Sequence, residues 1–244
     1  MIKIERIITP TGKQMDFIIE GMRNPKNSWD RSDSTFDADY IIGENDGKLM
    51  HTLAMAGTEH RKFLRMMPIY ARITAPLYWW KEFDTYKVGT VTNSCSTMHK
   101  IAAKEFTLED FSSEHLIDEY NVCDIYTKSQ NNPKDVLKLM IDALNKARNL
   151  YLETKDKKYW WQMIQLLPSS YNQTRNVMIN YEVALEIYRQ RKNHKLDEWH
   201  VFCEFVESLP YIDIFMKNEE DKNAEENNKP IDDNNKSIEG DITR

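Results

Sequence analysis

The stretch PLYWWKEFDTYKVGTVTNSCSTMH, residues 76–99, changes character halfway along. Its first half sets Tyr78, Trp79, Trp80, Phe83 and Tyr86 among Lys81, Glu82 and Lys87. Its second half passes through Gly89 into Thr90, Thr92, Asn93, Ser94, Ser96 and Thr97. Proline suits a first helical turn, so Ala75-Pro76 predicts the opening of a helix. The five aromatics cannot share one face of that helix, which predicts a partner surface for some of them and hence an oligomer. The hydroxyl and amide run beyond it suits phosphate oxygens and pyrimidine edges, with Lys87 as a charge-assisted donor. A capped helix start over 94–97 explains the same residues, and the two readings coexist because a helix N-terminus is itself an anion site.

Working outward, the pattern is mixed α/β. Ile2, Ile4, Ile7 and Ile8 predict a first strand, and spacing over 13–22 predicts a helix. Residues 27–46 are polar, with Asp30, Asp33, Asp37 and Asp39 in a loose row lacking calcium-loop spacing, and read as a solvated loop. A short helix over 49–56 precedes a half-buried strand over 67–73. The strongest helix spans 135–152, started by Asn131-Asn132-Pro133, with Val136, Leu139, Met140, Ala143, Leu144, Ala147, Leu150 and Tyr151 on one stripe. Further helices are predicted over 176–191 and 197–208. On the first of these Asn180 and Arg191, three turns apart, share a face, while Arg189 points elsewhere. An amide and a guanidinium so aligned suit a planar, anionic ligand.

Composition bounds the function. The 244 residues, 41% hydrophobic with only 7 Gly and 8 Pro, suffice for one well-buried domain over 1–216. The remainder, 217–244, carries nine acidic and five basic residues and no aromatic, and is expected to be a disordered acidic tail. The net charge of −6 argues against nucleic acid as a partner. No apolar run has the ~20 residues that cross a bilayer, so no membrane role is expected. Three cysteines without metal-type spacing fit a reducing cytoplasm, and no metal site is expected among the six scattered histidines. Phosphate loops, nucleophile elbows and His-Glu-x-x-His motifs are missing.

Together the two clusters resemble the flavin-dependent thymidylate synthases. That family's signature runs Ala-Pro, Arg-Gln-Trp, Arg-His-Arg, then Asn-Glu-x-Ser-x-Arg. Here Ala75-Pro76 leads to Lys81-Glu82-Phe83, then Thr85-Tyr86-Lys87, then Asn93-Ser94-Cys95-Ser96-Thr97-Met98. Downstream, Leu167-Pro168, Asn180 and Arg191 stand where the family has a Leu-Pro turn, a helix asparagine and an active-site arginine, and His60 is the match to its upstream histidine. Family arginines are replaced at Met98 and Ile164, and Glu182 stands for another. Arg65, Lys81 and Arg175 are candidate compensators. The resemblance spans 49–205.

It implies a mixed sheet with long packed helices (α/β, α+β type) in a homotetramer with active sites between subunits. FAD would take hydride from NADPH for the methylation of dUMP to dTMP, with methylenetetrahydrofolate as carbon donor. Arg191 would be the catalytic residue on the uracil edge. Glu82, Lys87, Ser94 and Ser96 would join it in holding the nucleotide, and His60, Arg65, Thr85, Tyr86 and Asn180 would hold the flavin. A non-catalytic nucleotide-binding or interaction protein keeping the fold is the alternative. Truncation after residue 216 is expected to leave the melting temperature unchanged, because 217–244 has no apolar stripe to dock. A fall of several degrees in a thermal melt would show that the tail packs.

Overall fold

Two nine-residue strands form the spine of the computed structural model, which describes residues 1–36, 39–123 and 129–216. The acidic tail and Asp37 lie outside the described residues. Strand β1 (Lys3–Ile8) is followed by α1 (Gly12–Arg23), whose start is fixed by a capping box between Thr11 and Gln14. A small hairpin of β2 (Thr35–Phe36) and β3 (Tyr40–Ile41) leads to α2 (Glu44–Met55) and α3 (Lys62–Arg65). Next come β4 (Pro68–Pro76), α4 (Leu77–Phe83), β5 (Val91–Ser94) and α5 (Thr97–Lys100). A second small hairpin, β6 (Val122–Cys123) and β7 (Gln130–Asn131), precedes α6 (Pro133–Thr154), which Asn132 caps with Pro133 in its first turn. Then follow α7 (Lys157–Leu166), β8 (Asn172–Asn180), α8 (Tyr181–Arg191) and α9 (Asp197–Glu207).

The main sheet has order β1-β4-β8-β5 and is antiparallel at every pairing. This is the expected α+β architecture. β4 and β8 pair without a slip from Pro68 opposite Asn180 to Pro76 opposite Asn172. Alternation puts Ile69, Ala71, Ile73 and Ala75 on one face with Val177 and Ile179 across from them, all buried in the main core. The opposite face leaves Ile8, Tyr70 and Val91 in the open. A second, smaller core forms where α6 and α7 pack around Ile101, Phe106 and Phe111. Among the described residues no helix is long and apolar enough to cross a membrane.

Three local expectations are corrected. Residues 176–180 are strand rather than helix: Val177 and Ile179 alternate across β8, and α8 starts only at Tyr181. On α6 the buried line is Leu137, Ile141, Leu144 and Ala147, whereas Val136, Leu139 and Ala143 stay exposed. Apolar residues cover enough of that helix to permit either face, and packing on α7 selects one. The α4 aromatics need no partner chain, since Trp79, Trp80 and Phe83 are 1% exposed or less. Trp80 donates its indole N–H to the Gln173 carbonyl at 2.9 Å.

The described residues of the 27–46 segment are mostly exposed, as expected of a solvated segment, but they are organised around a buried carboxylate. Asp46 Oδ1 accepts from Arg23 Nε at 2.6 Å, and Oδ2 accepts from the Ser32 and Ser34 hydroxyls, both at 2.7 Å. The Asp33 and Ser34 amides donate to Oδ2 as well. Asp33 in turn accepts the Asn45 and Asp46 N–H groups at the start of α2. A Cβ on Gly43 would fall 2.2 Å from Asp33 Oδ1, so this close approach needs glycine. Burial alone would push the Asp46 carboxyl up, but the bonds from Ser34, Ser32 and Arg23 outweigh it and hold it below its ordinary value. A depressed folded pKa gives stability that is present above the unfolded value and lost as pH falls through the folded one. Asp46→Ala strands Arg23 in the core and is expected to cost about 3–5 kcal/mol in urea unfolding, with a flatter stability profile below about pH 4. A loss under about 1 kcal/mol would contradict this assignment.

Candidate functional site

Antiparallel pairing starts α4 and α8 at opposite ends of the β4–β8 spine, and α8 runs back so that its last turn meets the end of α4. There Glu82 Oε2 accepts from Arg191 Nη1 at 2.8 Å and from the Trp199 indole N–H at 2.9 Å. Arg191 Nε donates to Tyr86 Oη at 2.8 Å, and Tyr86 Oη donates to Gln190 at 3.0 Å. The guanidinium carbon lies 4.7 Å from the Trp199 ring centre and 5.6 Å from that of Tyr86. Two aromatic faces and a carboxylate therefore cage one cation, whose side chain is 19% exposed. His194 Nε2 stands 3.4 Å from the same carboxylate oxygen. The Leu196 N–H donates to His194 Nδ1, so the neutral ring carries its proton on Nε2, facing Glu82.

The segment after α4 tracks α8 toward its other end. Thr85 Oγ1 donates to the Glu82 carbonyl at 2.7 Å. Four residues on, Gly89 has φ +76, and a Cβ there would meet Asn180 Nδ2 at 2.8 Å and Val183 at 3.1 Å. Asn180 is the N-cap of α8 and accepts the Val183 N–H at 3.0 Å. The expectation that Asn180 and Arg191 share a helical face is thus corrected: Asn180 precedes the helix, and the two stand about 16 Å apart at its opposite ends. Arg65 Nη1 joins the Asn180 end by donating to Glu182 at 2.7 Å and to the Thr58 carbonyl at 3.0 Å. His60 is exposed in the adjacent turn. Arg61 Nε is buried without a hydrogen-bond partner. Burial, reinforced by the Arg61 cation, lowers the Arg189 pKa.

Lys87 shares a cavity of about 170 Å³ with Tyr86, Thr90 and Thr92. The Thr90 hydroxyl is buried against it with no partner. Ser94 lies in β5 opposite Arg175, which binds Asp84 at 2.6 Å and stacks 4.2 Å over Trp80. Ser96 accepts the His99 N–H at the start of α5 and lines a different cavity of about 320 Å³. Asn172 Oδ1 is likewise buried and unpartnered at that second cavity. One chain therefore joins Glu82, Tyr86 and Arg191 in direct contact, sets Lys87 beside them and Asn180 with Arg65 at the far end of α8, and leaves Ser96 and His60 on separate cavities. Met98 is exposed and Ile164 packs on the second core. Among the described residues no group of His, Cys, Asp and Glu could hold a metal.

Trp199, His194 and Gly89 belong to this arrangement and were not singled out from the sequence for it. Trp199 follows Arg191 by eight positions but sits on another helix, so no helical spacing links them. The role of Gly89 depends on a positive φ and a contact with Asn180, neither visible in one sequence.

The fold is similar to that of solved flavin-dependent thymidylate synthases. The chain is similar to thymidylate synthase X from Helicobacter pylori with FAD and dUMP, at 18% identity and a TM-score of 0.59, covering 89% of this chain and 100% of that one. A second Helicobacter pylori structure of that enzyme, complexed with FAD and dUMP, matches at 17% identity and TM-score 0.58, over 88% and 97% of the two chains. The UMP/dUMP methylase PolB from Streptomyces cacaoi, bound with 5-Br dUMP, matches at 14% identity and TM-score 0.57, over 88% and 94%. No protein-family model and no curated sequence matches the chain.

Removing Glu82 tests the cage. Glu82→Ala leaves the Trp199 N–H and Arg191 without their common acceptor and is expected to destabilise the protein by about 1–3 kcal/mol in urea unfolding. A change below about 0.5 kcal/mol would mean that the contacts at Glu82 contribute nothing to the fold.

Proposed function

We propose that this chain is a divergent flavin-dependent thymidylate synthase that binds a pyrimidine nucleotide and FAD. Its reaction is the reductive methylation of dUMP to dTMP, with methylenetetrahydrofolate as carbon donor and NADPH as reductant. The observation that carries this reading is the caged Arg191: the position where the resemblance puts the substrate arginine holds a cation oriented by Glu82, Tyr86 and Trp199. The fold shared with two dUMP-bound synthase structures supports it.

The flavin set is compatible with the donors at the N-terminal end of α8. Arg65 stands there as a cation, the helix end favours anions, and Arg61, four residues before Arg65, holds an orphaned buried donor at Nε. Asn180, Arg65, His60, Thr85 and Tyr86 would hold FAD along this edge. When bound, FAD supplies the redox chemistry. The chain's own residues bind and polarise. Arg191 uses Nε and Nη1 inside the cage, so Nη2 is the edge offered to a uracil carbonyl, where it stabilises negative charge developing on the ring. Glu82 and Trp199 fix the guanidinium plane, and Tyr86 covers it from water. Lys87 and the Thr90 hydroxyl supply donors beside it, with Ser94 and Ser96 as further nucleotide contacts. Because Ser96 opens on a different cavity from Arg191, we propose that the complete site joins residues of two copies in a homotetramer, and that the enzyme works in the cytoplasm.

One observation favours the second reading, a nucleotide-binding protein without catalysis. Arg191 is already paired with a carboxylate at Glu82, where the resemblance places an amide, so part of its charge is neutralised before any ligand arrives. Turnover separates the two readings. The enzyme reading expects yellow protein, dUMP-dependent NADPH oxidation in wild type, and loss of both turnover and dUMP affinity in Arg191→Ala. Removing one charge-assisted contact worth about 1.5–3 kcal/mol weakens calorimetric dUMP binding roughly 10- to 100-fold. Binding without turnover selects the second reading. Wild type that binds neither flavin nor dUMP ends both.

A further inference from the structure

An apolar recess away from the Arg191 cage lies between α1, α2 and α3, with a volume of about 500 Å³, ample for a small organic molecule. Met22, Leu49, Leu53 and Phe63 form its walls, and Lys26 and Lys62 stand at its rim. Glu59 is the one carboxylate among the lining residues, against two lysines, so the rim presents an excess of positive charge. Gly21 lines the recess from α1, and a Cβ built there meets nothing within 4 Å. A helical glycine normally weakens its helix. Here it leaves additional open space on the wall of a cavity that a larger side chain would fill. None of the lining residues belongs to the Arg191 cage.

We propose that this recess is a second binding site, for a small amphipathic anion: an aromatic or acyl body seated on Met22, Leu53 and Phe63, with a carboxylate or sulfonate head between Lys26 and Lys62. The apolar walls take the body and the two ammonium groups select the charge. The site does not depend on flavin or dUMP. Its single overlap with the proposed flavin set is His60 at the rim.

The aromatic sulfonate 1-anilinonaphthalene-8-sulfonate probes it on the full-length protein. Wild type is expected to bind the dye saturably at one per chain, and at least tenfold more tightly than the uncharged N-phenyl-1-naphthylamine. Gly21→Phe, which fills the recess, and the charge reversal Lys26→Glu/Lys62→Glu should each weaken dye binding at least tenfold while circular dichroism is unchanged. Leu53→Trp narrows the same recess from α2 and serves if Gly21→Phe fails to fold. The proposal is overturned by any of three results: no saturable binding to wild type, wild-type affinity in a folded cavity-filling variant, or equal affinity for the charged and uncharged dyes. Displacement of the dye by FAD would assign the recess to the flavin and also overturn it, whereas a dye site unaffected by FAD and dUMP stands even if the synthase reading fails.

Discussion

The unbroken register between β4 and β8 is the constraint on which the rest depends. Nine consecutive positions pair, so a slip of one residue would turn Ile69, Ala71, Ile73, Val177 and Ile179 from the core to the open face. The same register decides where helices begin. β4 hands over to α4 at Pro76 and β8 hands over to α8 at Asn180, at opposite ends of the spine. A helix of 11 residues is long enough to return Arg191 to the end of α4, where Glu82 and Tyr86 meet it. The candidate site is thus a consequence of strand pairing more than of any local motif.

Cations near this spine are held by carboxylates: Arg191 by Glu82, Arg175 by Asp84 and Arg65 by Glu182. Each pair is partly shielded, which gives the arginines fixed directions but lowers the net positive charge available to an anion. Under the proposed function, a nucleotide here would rely on oriented donors and aromatic stacking more than on a field of unpaired charge. The buried, unpartnered Thr90 hydroxyl beside Lys87 fits that economy, since it supplies direction without charge.

Much of this was legible in the chain. The Asn132-Pro133 start of α6 and the alternation of β4 follow from capping and period-two patterning, and both stand in the structure. The α4–α8 meeting was legible only through a family resemblance. What escaped depended on partners remote in sequence. Val177 and Ile179 fit a helix or a strand equally well until β4 lies beside them. Asp46 looks like a surface acid until Arg23, Ser32 and Ser34 converge on it. Trp199 acquires its part in the cage only when α9 folds back against α4.

The central claim is that Arg191, caged by Glu82 and Trp199, reads a pyrimidine nucleotide. The Trp199 indole N–H shares its acceptor with that arginine and reports on it directly. In indole ¹H–¹⁵N spectra the six tryptophans give few enough signals for Trp199 to be assigned by substitution. Titration with dUMP should move the Trp199 signal saturably in wild type and leave it still in Arg191→Ala. An unmoved Trp199 signal at millimolar dUMP, in protein whose other indole signals are those of the folded state, would contradict the account.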